Sequence, residues 1–600
     1  MMEKSPTLSR PIRSGEFLLV ETDPAGVFIP EDLTEEERAI DKTTGRFLQD
    51  RVVPNLAAIE AGDIELLEQL IREMGELGVF MLDVPEELDG LGASKTISMR
   101  ISEWFGTVGS FGVASLVQTG IGGLPVIYFG NDAQRAKYLD GITTGQIITA
   151  YALTEPESGS DAMSARTTAI WDESREMYIL NGSKQFITNA GFADLFITFA
   201  QVDGDKFTCF LIESETPGLS TGAEEQKMGL KGSSTRAVIL EDVAIPRENI
   251  LGEIGKGHRI AFNVLNIGRL KLAPAVLGGS KRALKLGAEY ASERHQFGQP
   301  IANFGLVQQK LSGAAMRIYT SESMVYRTAD LLDRLAEEEK AKGPEDPVAP
   351  SVAALREFAI ECSLNKVYGS ETLDWVADEM LQVHGGYGYT QEYPVEAIYR
   401  DSRINRIWEG TSEVNRMIIT GTLMDKAMKG ELPILAEVKK LAGELMQRRG
   451  RGEAAPGPLG AEATAVGFCK KMTLFVAGVA AQKFLLTLKE QQEVLGWLAD
   501  MVIQTYAMES VWLRTVRSRE TTSTEQQEAR DAAVRLAVDI GFPIVEQNAK
   551  RVLAAAHAGE ELRSSLSMLK KLTRREPTNV VADSRRLAET VLVAKGYPFD

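Results

Sequence analysis

The chain has 600 residues, of which 44% are hydrophobic and 25% are charged, and its formal net charge is −18. Because an ordinary domain has about 100–200 residues, this length predicts several domains with large cores. The acidic balance argues against general nucleic-acid binding, since a basic surface supplies most of the affinity for phosphate backbones. The three cysteines and four histidines are widely scattered, so we predict no disulfide framework and no metal site.

No targeting or membrane-spanning segment is evident in the sequence. The apolar run at 17–21 is too short for a signal peptide. The longest apolar candidate, residues 472–481, falls short of the roughly 18 residues that a spanning helix needs. We therefore expect a soluble protein in a reducing, cytoplasmic compartment of the bacterial type.

The first predicted elements belong to a helical domain at 34–148, which follows an N-terminal extension at 1–33. Apolar residues recur at spacings of three and four along 34–105, as amphipathic helices require. Residues 106–130 carry no charge at all. We expect that segment to be buried or to line an apolar space.

A β domain is predicted at 149–255. Its segments LFITFAQV, KFTCFLIE and AVILEDVAI are enriched in β-branched and aromatic residues. The dipeptide Asn181-Gly182 lies between two extended segments, which is a strong signal for a tight hairpin turn.

Helical periodicity returns at 256–430 and again at 461–600. The segment between them, 431–460, is predicted to be a linker because its second half is rich in Gly, Pro, Ala and Arg. Residues 1–430 carry a net charge of −21 and the remainder +3, which together give −18. The predicted fold class is mainly α with an inserted β domain and an additional C-terminal helical domain.

Several segments contain residues that could carry chemistry, and each has a simpler interpretation. The glycines of HGGYGY, starting at His384, can bring backbone amides close to a phosphate, or they can form an ordinary interhelical turn. Arg294, in RHQFG, can clamp a pyrophosphate or neutralise a helix C-terminus. The loop YALTEPESGSD at 151–161 offers hydroxyls and amides, or simply connects two domains. Glu409, between an aromatic residue and a glycine, can be a general base with a raised pKa or a solvated loop acid.

Other familiar catalytic signatures are missing from the sequence. No dinucleotide-binding G-x-G-x-x-G follows a predicted strand, and no GxxxxGK[ST] phosphate loop is present. The absence of a G-x-S-x-G elbow removes support for a serine nucleophile.

Taken together, the motifs resemble those of the acyl-CoA dehydrogenase family. The resemblance covers about 34–430 and rests on LTEPESGSD, NGSKQFITNAG, RHQFG, QVHGGYGYTQEYPVE and RDSRINRIWEGT, which occur in the family's order. NVLNIGRL and the additional helical domain further resemble the very-long-chain branch. The resemblance implies a helical domain, a β domain and a helical bundle that hold FAD noncovalently.

The resemblance also implies roles for individual residues. Glu409 matches the general base that removes the α-proton of an acyl-CoA while the β-hydrogen leaves as hydride to the flavin. Some branches place the base at the position of Gly268, which has no side chain, so Glu409 is the consistent choice. The residues that match cofactor contacts are Thr154, Ser160, Phe186, Thr188, Arg294, Gln296, Phe297, Gln382, Gly385, Gly386, Thr411 and Glu413. The residues that match the substrate or CoA pocket are Ser160, Asn266, Arg269 and Gly410.

Two positions depart from the usual family pattern. Phe186 stands where many members have a tryptophan over the flavin, and it lacks the indole N–H. Trp408 replaces the usual tyrosine or phenylalanine before the base. Arg294, Gln296 and Phe297 belong to a motif that a neighbouring subunit usually supplies, so we expect a homodimer.

The resemblance implies FAD-dependent α,β-dehydrogenation of an acyl-CoA to trans-2-enoyl-CoA in fatty-acid β-oxidation, with electrons passing to an electron-transferring flavoprotein. Two alternatives remain: an acyl-CoA oxidase that uses oxygen, and a non-catalytic assembly protein that retains the fold. We expect medium-to-long acyl chains, because the charge-free segment 106–130 matches the tunnel wall and has Gly120, Gly122 and Gly123 to leave room.

The C-terminal domain carries a basic apolar segment that could touch a membrane. Lys470, Lys471 and Lys483 flank the apolar residues 472–482. A basic amphipathic helix can lie on an anionic bilayer, although packing of the same stripe within the protein is the favoured interpretation. We therefore expect at most a weak peripheral membrane contact.

Overall fold

The computed structural model describes residues 12–447 and 455–599. The N-terminal domain is built from helices, and the side chain of Thr34 caps the first of them by accepting a hydrogen bond from the amide of Glu37 at 3.2 Å. Buried apolar side chains such as Leu70, Ile101 and Phe111 form its core. Its helices are α1 (Glu35–Phe47), α2 (Leu56–Glu60), α3 (Ile64–Glu76), α4 (Lys95–Phe105), α5 (Gly109–Leu116), α6 (Leu124–Phe129) and α7 (Asp132–Thr144).

A mixed β-sheet follows in the chain. Its strands are β1 (Thr149–Ala152), β2 (Thr168–Asp172), β3 (Met177–Thr188), β4 (Leu195–Val202), β5 (Lys206–Glu213), β6 (Leu219–Thr221), β7 (Thr235–Pro246) and β8 (Ile250–Leu251). The strand order is β6-β7-β3-β2-β4-β5-β8, and β1 pairs with β4 in parallel. This topology brings β1 and the loop after it close to β3.

The predicted hairpin at Asn181-Gly182 is wrong, because both residues lie inside β3. The pairing of β3 with β7 shifts register between Leu180 and Gly182, which marks a β-bulge. Asn181 stabilises the bulge by exchanging hydrogen bonds of 3.0 and 2.8 Å with Asp242 on β7. A bulge and a hairpin favour the same dipeptide, since each needs a residue that tolerates unusual backbone angles.

A second set of helices follows the β domain in the chain and forms a hydrophobic core. It consists of α8 (Gly257–Glu293), α9 (Gly305–Lys340), α10 (Ala349–Glu357), α11 (Ala359–His384), α12 (Val395–Ser402) and α13 (Ser412–Met428), with the short strands β9 (His295–Gln296) and β10 (Gln299–Pro300) after α8. Helices α8, α9 and α11 pack against one another through residues such as Leu284, Leu311 and Val376. The predicted fold class, mainly α with an inserted β domain, is confirmed.

The remaining helices form the additional C-terminal domain. They are α14 (Ile434–Gln447), α15 (Gly460–Phe484), α16 (Gln492–Arg517), α17 (Thr524–Ala556), α18 (Gly559–Leu569) and α19 (Val580–Ala594). Helix α14 occupies much of the predicted linker 431–460, because Leu441 and Leu445 lie one turn apart and are both buried. Residues 448–454 of that linker lie outside the described residues.

Buried charges join the C-terminal domain to the rest of the protein. Arg514 on α16 forms ion pairs with Glu322 on α9 and, at 3.0 Å, with Glu31. A second group pairs Glu509 with both Lys470 and Arg327, the latter at 2.8 Å. These contacts fasten α16 to α9.

The segment that we considered for membrane contact faces the protein interior. Met472, Phe475 and Val476 are buried, Lys470 pairs with Glu509, and Lys471 bonds Glu444 at 3.0 Å. Within residues 12–447 and 455–599, three helical stretches are long and apolar enough to cross a membrane by length and composition alone, where the sequence had led us to expect none: Gly109–Phe129, Gly257–Glu293 and Gly460–Glu490. The windows concerned are 83%, 83% and 56% buried inside the protein, so all three contribute to its core.

Candidate active site

Glu409 lies immediately before α13 in a constrained backbone. Its φ is +56° and that of Gly410 is +78°, and the left-handed region costs a residue with a side chain about 1–2 kcal/mol. Side chains hold the two carbonyl groups in place. Arg269 Nε donates to the Glu409 carbonyl at 3.2 Å, Lys366 Nζ donates to the Gly410 carbonyl at 2.8 Å, and Asn415 Nδ2 reaches both carbonyls at 3.3 and 2.8 Å.

The Glu409 carboxylate points at α8 where that helix has no side chain. A Cβ placed on Gly268 would collide with it. The Oε2 atom is buried and has no hydrogen-bond partner among the described residues. Burial raises the pKa of Glu409 to about 7, although the nearby cations Arg269 and Lys366 oppose the shift. A carboxylate with a free oxygen and a pKa near neutrality is suited to take a proton from a substrate.

Residues predicted to contact the flavin come together on the β domain. Phe186 lies at a second bulge of β3, with a φ of +60° and 60% of its side chain exposed. Thr188 ends the same strand opposite Thr235 of β7. The carbonyl of Thr154 accepts a hydrogen bond from the amide of Gln185 at 2.9 Å, which places the loop after β1 beside β3.

A buried ion pair that sequence reasoning missed fixes this loop to β3. Glu155 accepts a hydrogen bond from Lys184 Nζ at 2.6 Å, and Lys184 is fully buried. Glu155 also accepts from Thr167 through its amide at 3.1 Å and its hydroxyl at 2.5 Å. Glu155 belongs to the motif LTEPESGSD and Lys184 to NGSKQFITNAG, close to the predicted flavin contacts. Their positions in these motifs could have pointed to the ion pair. Ser160 lies exposed in the anchored loop.

Two predicted substrate residues use their side chains within the protein. Asn266 Oδ1 accepts from Arg269 at 2.8 Å, and both residues are buried. Arg269 then reaches the Glu409 carbonyl, so this pair supports the loop that carries Glu409. Gly410 takes part through its backbone alone. Lys366 completes this group, but it lies outside the motifs that the sequence offered and gave no signal of its role.

The remaining predicted cofactor residues form a second group. Arg294, Gln296, Gly385 and Gly386 line a cleft of about 470 Å³, and the Arg294 guanidinium lies 5.6 Å from the ring centre of Tyr387. A Cβ on either glycine would meet no atom within 4 Å. The cleft therefore has open space and one cation at its wall. Gln382 is exposed nearby, and Phe297 is 92% exposed.

Thr411 and Glu413 begin α13, directly after Glu409. The Thr411 hydroxyl accepts a hydrogen bond from the amide of Val414 at 3.2 Å and so caps the helix. Glu413 is exposed in the first turn. It lines a surface cleft together with Arg406 and Arg416.

A narrow, mainly apolar cavity of about 70 Å³ follows α8, and Trp408, the residue before the base, is among its lining residues. This cavity, here called the slot, lies between α5 and α8. The α8 residues that line it lie on one helix face: Leu272, Ala275, Val276, Gly279 and Arg282. From α5 and the turn before it come Gly106, Gly109, Gly112, Val113 and Leu116.

The glycines that we predicted to leave room are not those of the slot. A Cβ on Gly122 would collide with Thr149, and one on Gly123 would collide with the carbonyl of Gln118. These glycines permit close packing of the chain rather than space for a ligand. Gly120 has Lys271 and Ile267 as its nearest neighbours.

Comparison with known proteins agrees with this geometry. Family profiles described as the N-terminal, middle and C-terminal domains of acyl-CoA dehydrogenase match residues 34–146, 150–243 and 255–424, and a further C-terminal profile matches 468–571. A probable acyl-CoA dehydrogenase of Bacillus subtilis is 47% identical over 587 residues, which cover 98% of each chain. The chain belongs to the acyl-CoA dehydrogenase family.

Other relatives extend the comparison. The crystal structure of an acyl-CoA dehydrogenase complexed with FAD from Bacillus anthracis superposes with a TM-score of 0.95 at 46% identity, covering 98% of this chain and 100% of that one. The very long-chain specific acyl-CoA dehydrogenase of Macaca fascicularis is 35% identical, covering 76% of this chain and 71% of that protein. The family resemblance predicted from the motifs is thus confirmed.

Proposed function

We propose that this acyl-CoA dehydrogenase family member catalyses FAD-dependent α,β-dehydrogenation of medium-to-long-chain acyl-CoA thioesters. The observation that carries the proposal is the Glu409 carboxylate, which has a buried free oxygen and a pKa near 7 and directly follows Trp408 of the slot. A base in this position can take the α-proton of a thioester whose hydrocarbon tail lies along α8. The product is the trans-2-enoyl-CoA of fatty-acid β-oxidation.

The residues present fit FAD. Phe186 offers a large exposed aromatic face beside Thr154 and Thr188, which suits a planar ring. The glycine cleft offers open backbone and the cation Arg294, which suits a pyrophosphate. When bound, FAD supplies the acceptor for the hydride that leaves the β-carbon.

The protein's own residues prepare the proton transfer. Arg269 and Lys366 favour the ionised form of Glu409, while burial favours the neutral form, so the two effects leave the pKa of the carboxyl near 7. Both cations also hold the carbonyl groups of the loop that carries Glu409. The base is therefore fixed in position, and it can both accept a proton and release it.

The length of the slot supports medium-to-long chains. On α8 the lining runs from Leu272 to Arg282, 10 residues further along the helix, which corresponds to about 15 Å at 1.5 Å per residue. Each methylene buried in an apolar space adds about 0.8 kcal/mol of binding. Long straight tails therefore gain more from this space than short or branched ones.

Two further parts of the proposal concern partners. Residues near Glu409 and those of the glycine cleft line separate spaces of one chain, which supports a homodimer in which one subunit's cleft serves its partner's FAD. We also propose that the electrons pass to an electron-transferring flavoprotein rather than to oxygen.

The test is reduction of the bound flavin. The purified protein is expected to be yellow and to lose its absorbance anaerobically when palmitoyl-CoA is added. Slow return of the colour in air, and fast return with an electron-transferring flavoprotein, would support a dehydrogenase, whereas fast return in air would indicate an oxidase. A protein that binds FAD but never bleaches with any acyl-CoA would be a non-catalytic assembly protein.

A further inference from the structure

One loop of the β domain reaches the slot from the side. It connects β6 to β7, and its Leu230 is 8% exposed and lines the slot. Leu230 lies next to Asp401, in the last turn of α12, and Asp401 interacts electrostatically with Arg282, so Leu230 lies at the Arg282 end of the slot. All three domains of the dehydrogenase core therefore meet at this end.

Two carboxylates fasten the loop. Asp401 Oδ1 accepts a hydrogen bond from the Leu230 amide at 2.5 Å, and Glu60 Oε2 accepts from the Gly232 amide at 3.2 Å. The other oxygen of Glu60 accepts from the Ser110 amide at the start of α5 at 3.0 Å. The loop is thus attached to the helical domains on both sides of the slot.

Leu230 is held in a conformation that its own side chain disfavours. Its φ is +50°, in the left-handed region that costs about 1–2 kcal/mol for such a residue. Such a conformation persists only where the surroundings hold it. Here the bond to Asp401 holds the amide, and the side chain fills the slot.

The wall of the slot changes character at the same level. Up to Gly279 the lining on α8 is apolar, and the next residue on that face is Arg282, whose guanidinium donates to the Thr107 carbonyl at 2.8 Å. Asp401 and Glu60 interact electrostatically with Arg282. A hydrocarbon gains nothing by entering a site lined with charges, because the charges would lose their polar surroundings.

We propose that Leu230 is the specificity-determining residue that sets the longest acyl chain this enzyme accepts. The terminal methyl of the chain packs against Leu230, and the charged group of Arg282, Asp401 and Glu60 closes the space behind it. The inference rests on the proposed function, since it assigns the slot to the acyl tail.

The decisive variant is Leu230→Gly. Glycine adopts a positive φ without strain, so the loop should keep its shape, while the slot gains the volume of the leucine side chain. We expect the longest chain used efficiently to increase by about two to four carbons. For substrates beyond the wild-type limit, kcat/KM should rise about fourfold for each newly buried methylene, which corresponds to about 0.8 kcal/mol.

The measurement is flavin bleaching and steady-state kcat/KM with octanoyl-, dodecanoyl-, hexadecanoyl- and eicosanoyl-CoA. Met228→Ala is the matched control, because Met228 lies in the same loop with 56% of its side chain exposed, and its profile should match the wild type. A wild-type enzyme that bleaches with none of these substrates contradicts the proposed function. Identical chain-length profiles for the active wild type and Leu230→Gly overturn only the role of Leu230.

A second variant keeps the proposal testable if Leu230→Gly loses its fold or its FAD. Leu230→Phe fills more of the slot, so the preferred chain should become shorter while octanoyl-CoA turnover is retained. An unchanged preference in this variant, with the same thermal unfolding temperature as the wild type, would also overturn the inference.

Discussion

At the scale of single residues, the candidate site is marked by side chains on left-handed backbone. Phe186, Leu230, Phe297 and Glu409 all have φ values between +50° and +60°. The left-handed conformation costs about 1–2 kcal/mol at each position, and it directs the side chain differently from helical or extended backbone. Such positions cost free energy in folding, and these four are the ones to which we assign a ligand contact among the twelve non-glycine residues with a positive φ in the described part of the chain.

The first prediction concerns the base itself. Glu409→Gln should lower turnover of palmitoyl-CoA by more than about 10²-fold, because an amide cannot take the α-proton. FAD content should stay at the wild-type level, since glutamine preserves the size of the side chain. Stopped-flow bleaching and the flavin-to-protein absorbance ratio measure the two effects. Turnover close to the wild type would remove Glu409 from the mechanism.

The same variant should alter stability in a pH-dependent way. The folded state raises the pKa of Glu409 from 4.5 to about 7, so the folded protein binds this proton more tightly than the unfolded chain does. The contribution of this group is therefore largest below pH 4.5 and is lost as the pH rises to about 7, by about 3 kcal/mol. Chemical denaturation at pH 8 should find Glu409→Gln more stable than the wild type, with the difference gone at pH 4.5.

Lys366 should tune the working pH of the base. Since its charge favours the ionised form of Glu409, Lys366→Met should raise the pKa of that carboxyl further. The acidic limb of kcat/KM against pH should move up by about one pH unit. Lys366→Arg keeps the charge and serves as the control. A profile for Lys366→Met that overlays the wild type would show that Lys366 acts only on the backbone.

Sequence reasoning identified Glu409 but not what makes it a base. The motif RDSRINRIWEGT gave its position and NVLNIGRL pointed to Gly268 and Arg269, but the burial and the Lys366 charge that also set its pKa come from segments 43 or more residues away in the chain. Contacts of this kind follow from packing of α8 and α11 against the loop. They have no local signature in the sequence.

At the scale of elements, the loop after β1 depends on the pair Glu155–Lys184. Removing one member of a buried ion pair leaves a charge without its partner and typically costs about 3–5 kcal/mol. Lys184→Met should therefore lower the unfolding temperature and release FAD, because the loop that carries Thr154 is no longer fixed to the strand that carries Phe186. Differential scanning calorimetry and flavin retention on gel filtration provide the measurements.

The double variant Glu155→Gln/Lys184→Met is the matched control for that prediction. It removes both charges, so it should recover part of the stability that the single variant loses. If the double variant is as unstable as the sum of the two single variants, the pair contributes through packing and not through charge.

Elements with a clear apolar period were predictable, and those decided by neighbouring segments were not. The long helices of 256–430 appear where their periodicity placed them, with α9 at Gly305–Lys340. Asn181-Gly182 is a typical hairpin dipeptide, but here it forms a bulge that hydrogen bonds with Asp242 of the neighbouring strand stabilise. Helix α14 was not predicted, because the Gly- and Pro-rich residues after it led us to interpret the whole segment as a linker. Leu441 and Leu445 nevertheless have the spacing of a buried helix face.

At the scale of the whole molecule, the two groups of cofactor residues allow a test of the proposed dimer. Glu409→Gln chains retain Arg294, and Arg294→Ala chains retain Glu409. If Arg294 serves the partner's FAD, co-expression of the two inactive chains should restore up to one working site in each mixed dimer. Light scattering should give a mass of twice 65.6 kDa for the wild type.

The controls for this experiment are the two single variants, each expressed alone. Mixed dimers without activity would place Arg294 and Glu409 of one chain in the same site. A mass near four times 65.6 kDa would show that two dimers associate despite the additional C-terminal domain.

The ion pairs of Arg514 have a consequence for how the protein is made. Glu31 and Arg514 are 483 positions apart in sequence, so Glu31 leaves the ribosome long before its partner. Until Arg514 is made, Glu31 keeps its charge in water and the surface of α9 that faces α16 stays uncovered, while Glu322 already has Lys281 of α8 as an ion-pair partner. Contacts of such high sequence separation form late, because the entropy of closing the chain must be met first. We therefore expect the dehydrogenase core to fold during synthesis before α16 packs against α9.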